Sequence, residues 1–409
     1  MPDAEKLAAV REALPALGAG IYLNTGSAGP VPAETAAAMD EVAQRELRVG
    51  RGHTDDFLAF LDRLGEARAG VAAILAADVD EVAITHSTTE GMNIATWAVD
   101  WRPGDRAVTT TNEHAGGLGP LLAVRERFGV ELDFVDVPFE TDDDAIVAAF
   151  DAAIQPGTRL VSVSHVLWTT GARLPVDRIA AIAHQRGAIV AIDGAQSVGA
   201  IPVPVTELGV DYYAVAGEKW LLGPEGTGAL WASREAIERA APSLVGWFSY
   251  EKIGLDGQAT YHRSARRFEA TNYHRPSVVG LARSCGWLSM YVGLPWVIAR
   301  GTALARAAAD RLASIPGVAL LTPPDRMATL VSFRIGGWTA EAAAEELGSR
   351  VFAITRTIPD LDAIRISVGF FNSEEEIERF AAAVELLARH TPETLPQKPR
   401  LTILGQDDG

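Results

Sequence analysis

The residues of this sequence that can do chemistry stand at the ends of apolar runs. Lys219 follows VDYYAVAG and precedes the turn Gly-Pro-Glu-Gly-Thr-Gly. A lysine at a strand end, beside glycines that let a ligand approach the backbone, suits a Schiff base with a carbonyl compound. An ordinary solvated lysine suits the same place. The chain has only four lysines, Lys6, Lys219, Lys252 and Lys398. Two lie near the ends and Lys252 sits in a charged stretch, which leaves Lys219 as the candidate for amine chemistry. Asp193 ends the run AIVAID and is followed by Gly194, Ala195 and Gln196. A carboxylate at the carboxyl end of a parallel strand stands where open α/β sheets bind ligands. There it either holds the proton of a heteroaromatic ring nitrogen or caps the next turn. Ser87, Thr88, Thr89, Glu90 and Gly91 lie between a strand pattern and a helix pattern, so free N–H groups and hydroxyls face one point. That arrangement suits a phosphate, and plain N-capping explains it equally. Arg365 interrupts the apolar alternation of AIRISVGF, which an exposed strand-end charge does not require.

The elements needed to hold these residues are legible as repeated alternation. After two amphipathic helical patterns between Ala33 and Ala77, short apolar runs (EVAIT, RAVTTT, VELDFVDV, RLVSVSHV, AIVAID) alternate with amphipathic segments. This predicts a mainly parallel sheet covered on both faces. VDYYAVA and GTGALWA are too close for a helical crossover and predict an antiparallel element. The polar stretch from Tyr250 to Arg267 reads as a long surface excursion, with a change of domain near it. Two helical patterns follow, then a smaller unit of alternating strands and helices. The end, TPETLPQKPRLTILGQDDG, reads as a loosely docked tail. The expected division is 30–255 for the large unit, 1–29 with 256–392 for the small one, and 393–409 for the tail.

Composition narrows the classes. With 36 basic against 53 acidic residues the net charge is −17, the wrong sign for affinity to phosphate backbones, so no nucleic-acid partner is expected. Hydrophobic residues at 48% and charged residues at 22% place the chain among folded globular proteins. The one cysteine, Cys285, allows no internal disulfide, and MPDAEKLAAVREAL lacks the pattern of a secretory signal, so a cytoplasmic location is expected. Apolar stretches are interrupted too early for a membrane span.

Taken in order and at this spacing, these segments resemble the fold-type I, pyridoxal-phosphate-dependent enzymes of the class V aminotransferase group, which includes cysteine desulfurases and cysteine/cystine carbon-sulfur lyases. The resemblance runs from IYLNTGSAGPVP to IRISVGFFNSEEEIERF and is strongest in SVSHVLWTTGARLPV, IDGAQSVGAIPV and DYYAVAGEKWLLGPEGTGALW. Within the group it is most similar to the cystine carbon-sulfur lyases, through the SH-x-LW-x-TG element, the VGW at Val245 to Trp247, and an RTI element linked to a later IR. It implies an α/β architecture: a large domain with a mainly parallel seven-stranded sheet and a smaller α+β C-terminal domain. The cofactor implied is pyridoxal 5'-phosphate, with no metal. Lys219 would carry it and move the substrate α-proton, Asp193 would pair with its ring nitrogen, and Gln196 would contact the ring oxygen beside Ala195. His114, otherwise a plain loop histidine, would stack on the ring. Thr88, Thr89 and Glu90 would form the phosphate loop. Thr271 and Asn272 would bring a phosphate ligand to the neighbouring subunit, which implies a homodimer with shared sites. Arg365 would grip the substrate carboxylate in a two-pronged contact, with Arg356 a second anion binder at the same mouth.

Three departures bear on the reaction. The loop TRTIPDLDA carries no cysteine where desulfurases keep the thiol that accepts sulfur, and Cys285 lies in a helical run instead. Glu218 and Ala216 stand where relatives carry His and Ser or Thr near the phosphate, so the carboxylate either turns away or is neutralised by an arginine. Trp168 and Thr169 replace an asparagine near the ring oxygen and become substrate contacts. The expected activity is α,β-elimination on an amino acid such as cystine, cysteine or a cysteine conjugate or sulfoxide, releasing pyruvate, ammonia and a thiol or persulfide. Alternatives are a class V aminotransferase or an amino-acid epimerase, then a persulfide-relay desulfurase, or a non-catalytic relative.

Overall fold

The computed structural model describes residues 3–397. Lys398 and the rest of the expected tail lie outside the described residues. Helix α1 (Asp3–Glu12) and strand β1 (Ile21–Tyr22) precede two long helices, α2 (Ala33–Val49) and α3 (Thr54–Leu75). Then β2 (Val82–Thr85) leads into α4 (Thr88–Trp97), β3 (Arg106–Thr110) into α5 (Ala115–Phe128), β4 (Glu131–Val135) into α6 (Asp143–Ala153), and β5 (Thr158–Ser164) into α7 (Val176–Gln185). Strands β6 (Ile189–Asp193), β7 (Tyr212–Ala216) and β8 (Gly228–Ala232) follow, then the short α8 (Arg234–Arg239). A hairpin of β9 (Tyr250–Ile253) and β10 (Ala259–Tyr261) separates them from α9 (Arg275–Gly286) and α10 (Leu294–Ala313). The remainder is β11 (Val318–Leu320), β12 (Leu330–Ile335), α11 (Ala340–Val351), β13 (Ala353–Ile354), β14 (Arg356–Ile358), β15 (Ala363–Ser367) and α12 (Glu374–Ala388).

The main sheet has seven strands in the order β2-β8-β7-β6-β5-β3-β4. All neighbours are parallel except those of β8, which runs antiparallel to both β7 and β2. This is the mixed, mostly parallel sheet that the alternation predicts, with the GTGALWA strand as its antiparallel member. Strands β6, β7 and β8 are apolar and buried nearly throughout because helices cover both faces. One core fills the side bearing α3, α7 and α9, and a second the side bearing α4 and α5. A third belongs to the C-terminal four-stranded antiparallel sheet, β11-β12-β15-β14, under α10, α11 and α12.

The two units share chain segments. Strand β1 pairs with β13, and Ile21 and Leu23 enter the C-terminal core, whereas Val10, Leu14 and Leu17 enter the core of the main sheet. Helix α9 packs against α2 and α3, so closely that a Cβ at Gly70 would stand 2.9 Å from the Cβ of Cys285. The segment around α9 therefore packs with the main sheet, although it lies beyond the boundary expected at residue 255. The stretch read as a surface excursion contains the β9–β10 hairpin, a feature that its polar composition conceals.

Candidate active site

Every element of the main sheet that precedes a candidate residue delivers it at a carboxyl end, where open α/β sheets leave room for ligands. Asp193 is the last residue of β6 and is buried; its Oδ1 accepts the N–H of Ala195 at 2.9 Å. The other oxygen, Oδ2, faces Gly117 in the first turn of α5, where a Cβ would come within 3.3 Å. Lys219 follows β7 and the turn at Gly217. None of the hydrogen bonds or ion pairs of the described residues involves its ammonium. Burial pushes its pKa down, Asp193 and Glu218 pull it back up, and Arg365 and Arg356 push it down again. The amine is thus more readily available as a free base than a surface lysine, which is what nucleophilic and proton-transfer roles require.

His114 forms the N-cap of α5, its Nδ1 accepting the N–H of Gly116 at 3.1 Å. Its ring meets Trp168 edge-on at 5.6 Å, and burial followed by the charge of Lys219 holds it below the usual histidine range, hence neutral at pH 7. Helix α4 starts beside α5: a Cβ at Gly116 would lie 2.4 Å from Thr89 Oγ1. Ser87 caps α4 by accepting the N–H of Glu90, and the buried Thr88 Oγ1 has no hydrogen-bond partner.

A second feature is a pair of arginines on adjacent strands of the small sheet. Arg356 on β14 and Arg365 on β15 are directly opposite one another. Like charges in that relation destabilise a sheet unless an anion lies between them. Neither has a carboxylate partner among the described residues. Instead the Ser27 hydroxyl accepts from both, at 3.2 Å from Arg356 and 3.5 Å from Arg365, and Arg365 donates to the carbonyl of Trp168 at 2.8 Å. Arg356 also lies over the Trp168 ring, 5.8 Å from its centre. Arg365 is 1% exposed, and burial followed by the charge of Arg356 pushes its pKa down to about 9. Its Nε and the indole Nε1 of Trp168 are buried donors without acceptors. Two opposed arginines, with Arg365 Nε and Trp168 Nε1 as unpartnered buried donors beside them, make a mouth whose chemistry suits a carboxylate.

The site therefore joins Lys219, Asp193, His114, Arg365, Arg356 and Trp168. The other candidates stand as follows. Gln196 is buried with its amide already engaged, donating to Gly26 O at 2.8 Å and accepting from Trp220 Nε1 at 2.9 Å. Thr169 donates to Asn112 Oδ1 at 3.3 Å, and its carbonyl accepts from Ser332. Glu90 turns back to His86, whose ring nitrogen is 2.8 Å away. Burial pushes that carboxyl up, but the hydrogen bonds from His86 hold it below its ordinary range. Thr271 and Asn272 are exposed, with the Asn272 backbone facing His86 rather than Lys219. Glu218 is half-buried, which pushes its pKa up. Lys219 is the cation acting on it, and no arginine of the described residues pairs with it.

Two participants were not singled out from the sequence. Ser27 sits inside the N-terminal motif IYLNTGSAGPVP, a hydroxyl in a glycine-rich turn, yet its partner Arg356 is 329 positions away. Trp220 directly follows the lysine and holds Gln196. A groove of about 1170 Å³ elsewhere, between α2, α3 and α9, contains none of the site residues.

The arrangement fits pyridoxal 5'-phosphate. Thr88 Oγ1 is an orphaned hydroxyl at a helix N-terminus, Lys219 an unpaired amine, and Asp193 Oδ2 faces a position where any side chain would intrude.

Comparisons with known proteins agree. The model of the family described as aminotransferase class-V matches residues 21–380. A probable cysteine desulfurase of Methanothermobacter thermautotrophicus is 29% identical over 396 residues, covering 93% of this chain and 97% of the relative. The isopenicillin N epimerase of Streptomyces clavuligerus is 30% identical over 384 residues, 90% of this chain and 94% of the relative. Among solved structures, the complex of the cystine C-S lyase C-DES with its reaction product cysteine persulfide superposes with a TM-score of 0.86 at 28% identity, covering 91% of this chain and 99% of that one. The fold, the converging strand ends and these matches together establish that the chain belongs to the aminotransferase class-V family of enzymes, among cysteine desulfurase-like and carbon-sulfur lyase neighbours.

Proposed function

We propose that the protein is a pyridoxal-phosphate-dependent carbon-sulfur lyase that acts by α,β-elimination on cystine, cysteine or a cysteine conjugate or sulfoxide. Elimination on cystine consumes water and gives pyruvate, ammonia and cysteine persulfide. When bound, the cofactor supplies a ring that stores the electron pair left by loss of the substrate α-proton. Arg365 and Arg356 bind the substrate carboxylate from two sides, with Ser27 and Trp168 fixing their orientation. Lys219 Nζ takes the α-proton, a role its depressed pKa favours. Asp193 would keep the ring nitrogen protonated, neutral His114 would lie against the ring, and Thr88 with the N-terminus of α4 would bind the phosphate. Thr271 and Asn272 would serve the partner's site in a homodimer.

The observation that carries the choice of elimination is the state of the only cysteine. Cys285 is buried in α9, and burial pushes its thiol up to about 12, so it offers no thiolate to receive sulfur. Elimination needs no such thiol. An amino-acid epimerase is the second reading, favoured by the 30% identity to isopenicillin N epimerase over most of both chains. Product analysis of the holoenzyme separates them. Stoichiometric pyruvate and sulfane sulfur from cystine without an added keto acid is the expected result. Inversion of the α-carbon with no pyruvate, or turnover only with a keto acid, would overturn it.

A further inference from the structure

Glu113 lies at the proposed cofactor site but takes no part in the chemistry assigned above. It ends the turn between β3 and α5, immediately before His114. The ladder between β3 and β5 runs only from Arg106↔Thr158 to Val108↔Val161, although β3 continues to Thr110 and β5 to Ser164. The strands have parted at their carboxyl ends. They do so where the strand order reverses, since the chain steps outward from β3 to β4 and returns across β3 to β5. Crevices that hold ligands open at such points.

Parting leaves backbone and hydroxyl donors without ladder partners, and the Glu113 carboxyl takes up three of them. Oε1 accepts from Thr110 Oγ1 at 2.7 Å and from the Ser164 N–H at 3.1 Å, and Oε2 accepts from Ser164 Oγ at 2.6 Å. Ser164 is in turn the cross-strand partner of Asp193. One side chain thus ties β3 to β5 across the crevice, with His114 on one side and Asp193 on the other. We propose that Glu113 is the positioning residue of this site: its carboxyl stitches the parted ends of β3 and β5 and so fixes His114 against the place of the cofactor ring. This rests on the cofactor reading above.

The carboxyl also titrates in a useful range. Burial, helped by the nearby charge of Asp193, outweighs the three donors and leaves it at about 7. A folded value above the ordinary 4.5 means that its stabilising contribution is complete below about 4.5 and is lost as pH rises through about 7.

The test compares wild type, Glu113→Gln and Glu113→Ala by pyridoxal-phosphate titration of the apo-protein, visible circular dichroism of the bound cofactor, and melting temperature from pH 5 to pH 8. The Gln amide can accept from Thr110 and the Ser164 N–H and donate to Ser164 Oγ. It is expected to keep the cofactor Kd within about twofold and retain the visible dichroic band, with a melting temperature that gains on wild type as pH rises through about 7. The Ala variant is expected to raise Kd about tenfold and to flatten the band while its far-ultraviolet spectrum is unchanged. An Ala variant with wild-type Kd and band overturns the inference. Should that variant not fold, a folded Gln variant that loses the band, or whose melting temperature tracks wild type at every pH, overturns it instead. A wild-type protein that binds no pyridoxal phosphate sinks the cofactor reading itself, which is a separate result.

Discussion

Two arginines facing each other without a counter-ion are the most informative residues of the molecule. Arg365 is held by the Trp168 carbonyl and Ser27 but by no carboxylate among the described residues, which suits it to the proposed role of gripping a substrate carboxylate. A planar fork binding a carboxylate at two points is not replaceable by a lysine point charge. Arg365→Lys is therefore expected to raise KM for the amino-acid substrate by roughly 10-fold or more, in line with about 1.5–3 kcal/mol for a hydrogen bond to a charged group, with a smaller change in kcat. Steady-state kinetics check this, and an unchanged KM would remove Arg365 from the carboxylate site. At this scale the sequence was readable where a polar residue ends or interrupts an apolar run, as with Asp193, Lys219 and Arg365. It was not readable where a role depends on a partner far along the chain. Gln196 stands at the expected place, but its amide is taken by Gly26 and Trp220. No local pattern announces either pairing.

At the scale of elements, the edge of the sheet that leads into α4 is closed by side chains rather than by another strand. Strand β2 is an edge strand, and at Ile84 the N–H donates to Glu269 Oε1 at 2.9 Å while the carbonyl accepts from Tyr273 OH at 2.8 Å. The pair protects an exposed edge and anchors the segment bearing Thr271 and Asn272 to the strand that enters α4. Tyr273→Phe leaves the Ile84 carbonyl without this partner, which costs about 1–3 kcal/mol for a buried group. Equilibrium urea denaturation should show that loss, and a variant as stable as wild type would mean the clamp carries no weight. The alternation of apolar runs gave away the sheet, its helices and the antiparallel strand, because burial on both faces leaves a strong imprint in composition. The β9–β10 hairpin left no such imprint, since its strand β9 is mostly exposed and polar. The packing of α9 onto α2 and α3 was equally invisible, because an amphipathic pattern says which face is buried and not against what.

At the scale of the whole molecule, exposed apolar residues gather near the hairpin. Leu244, Trp247, Ile253 and Leu255 are all more than half exposed, with Trp247 stacked on Phe57. Exposed apolar side chains of this kind mark association sites, and we propose that a second copy of the chain covers them. Trp247→Glu is expected to shift the protein toward monomer in sedimentation velocity and to lower activity with it; a variant that stays dimeric would place the contact elsewhere. The net charge of −17 says nothing against binding an anionic cofactor, because the site itself is lined by Lys219, Arg356, Arg365 and a helix N-terminus. No helix of the described residues is long and apolar enough to cross a membrane. We propose that this charged mouth and a single lysine carry out elimination. This is tested most directly by pyruvate release from cystine, without keto acid, by holoenzyme and by its Lys219→Ala variant. Steady release by wild type and a fall of at least roughly 10²–10⁴-fold in the variant are expected, the range assigned to a positioned proton-transfer group. Equal release by both, or none by wild type, would contradict it.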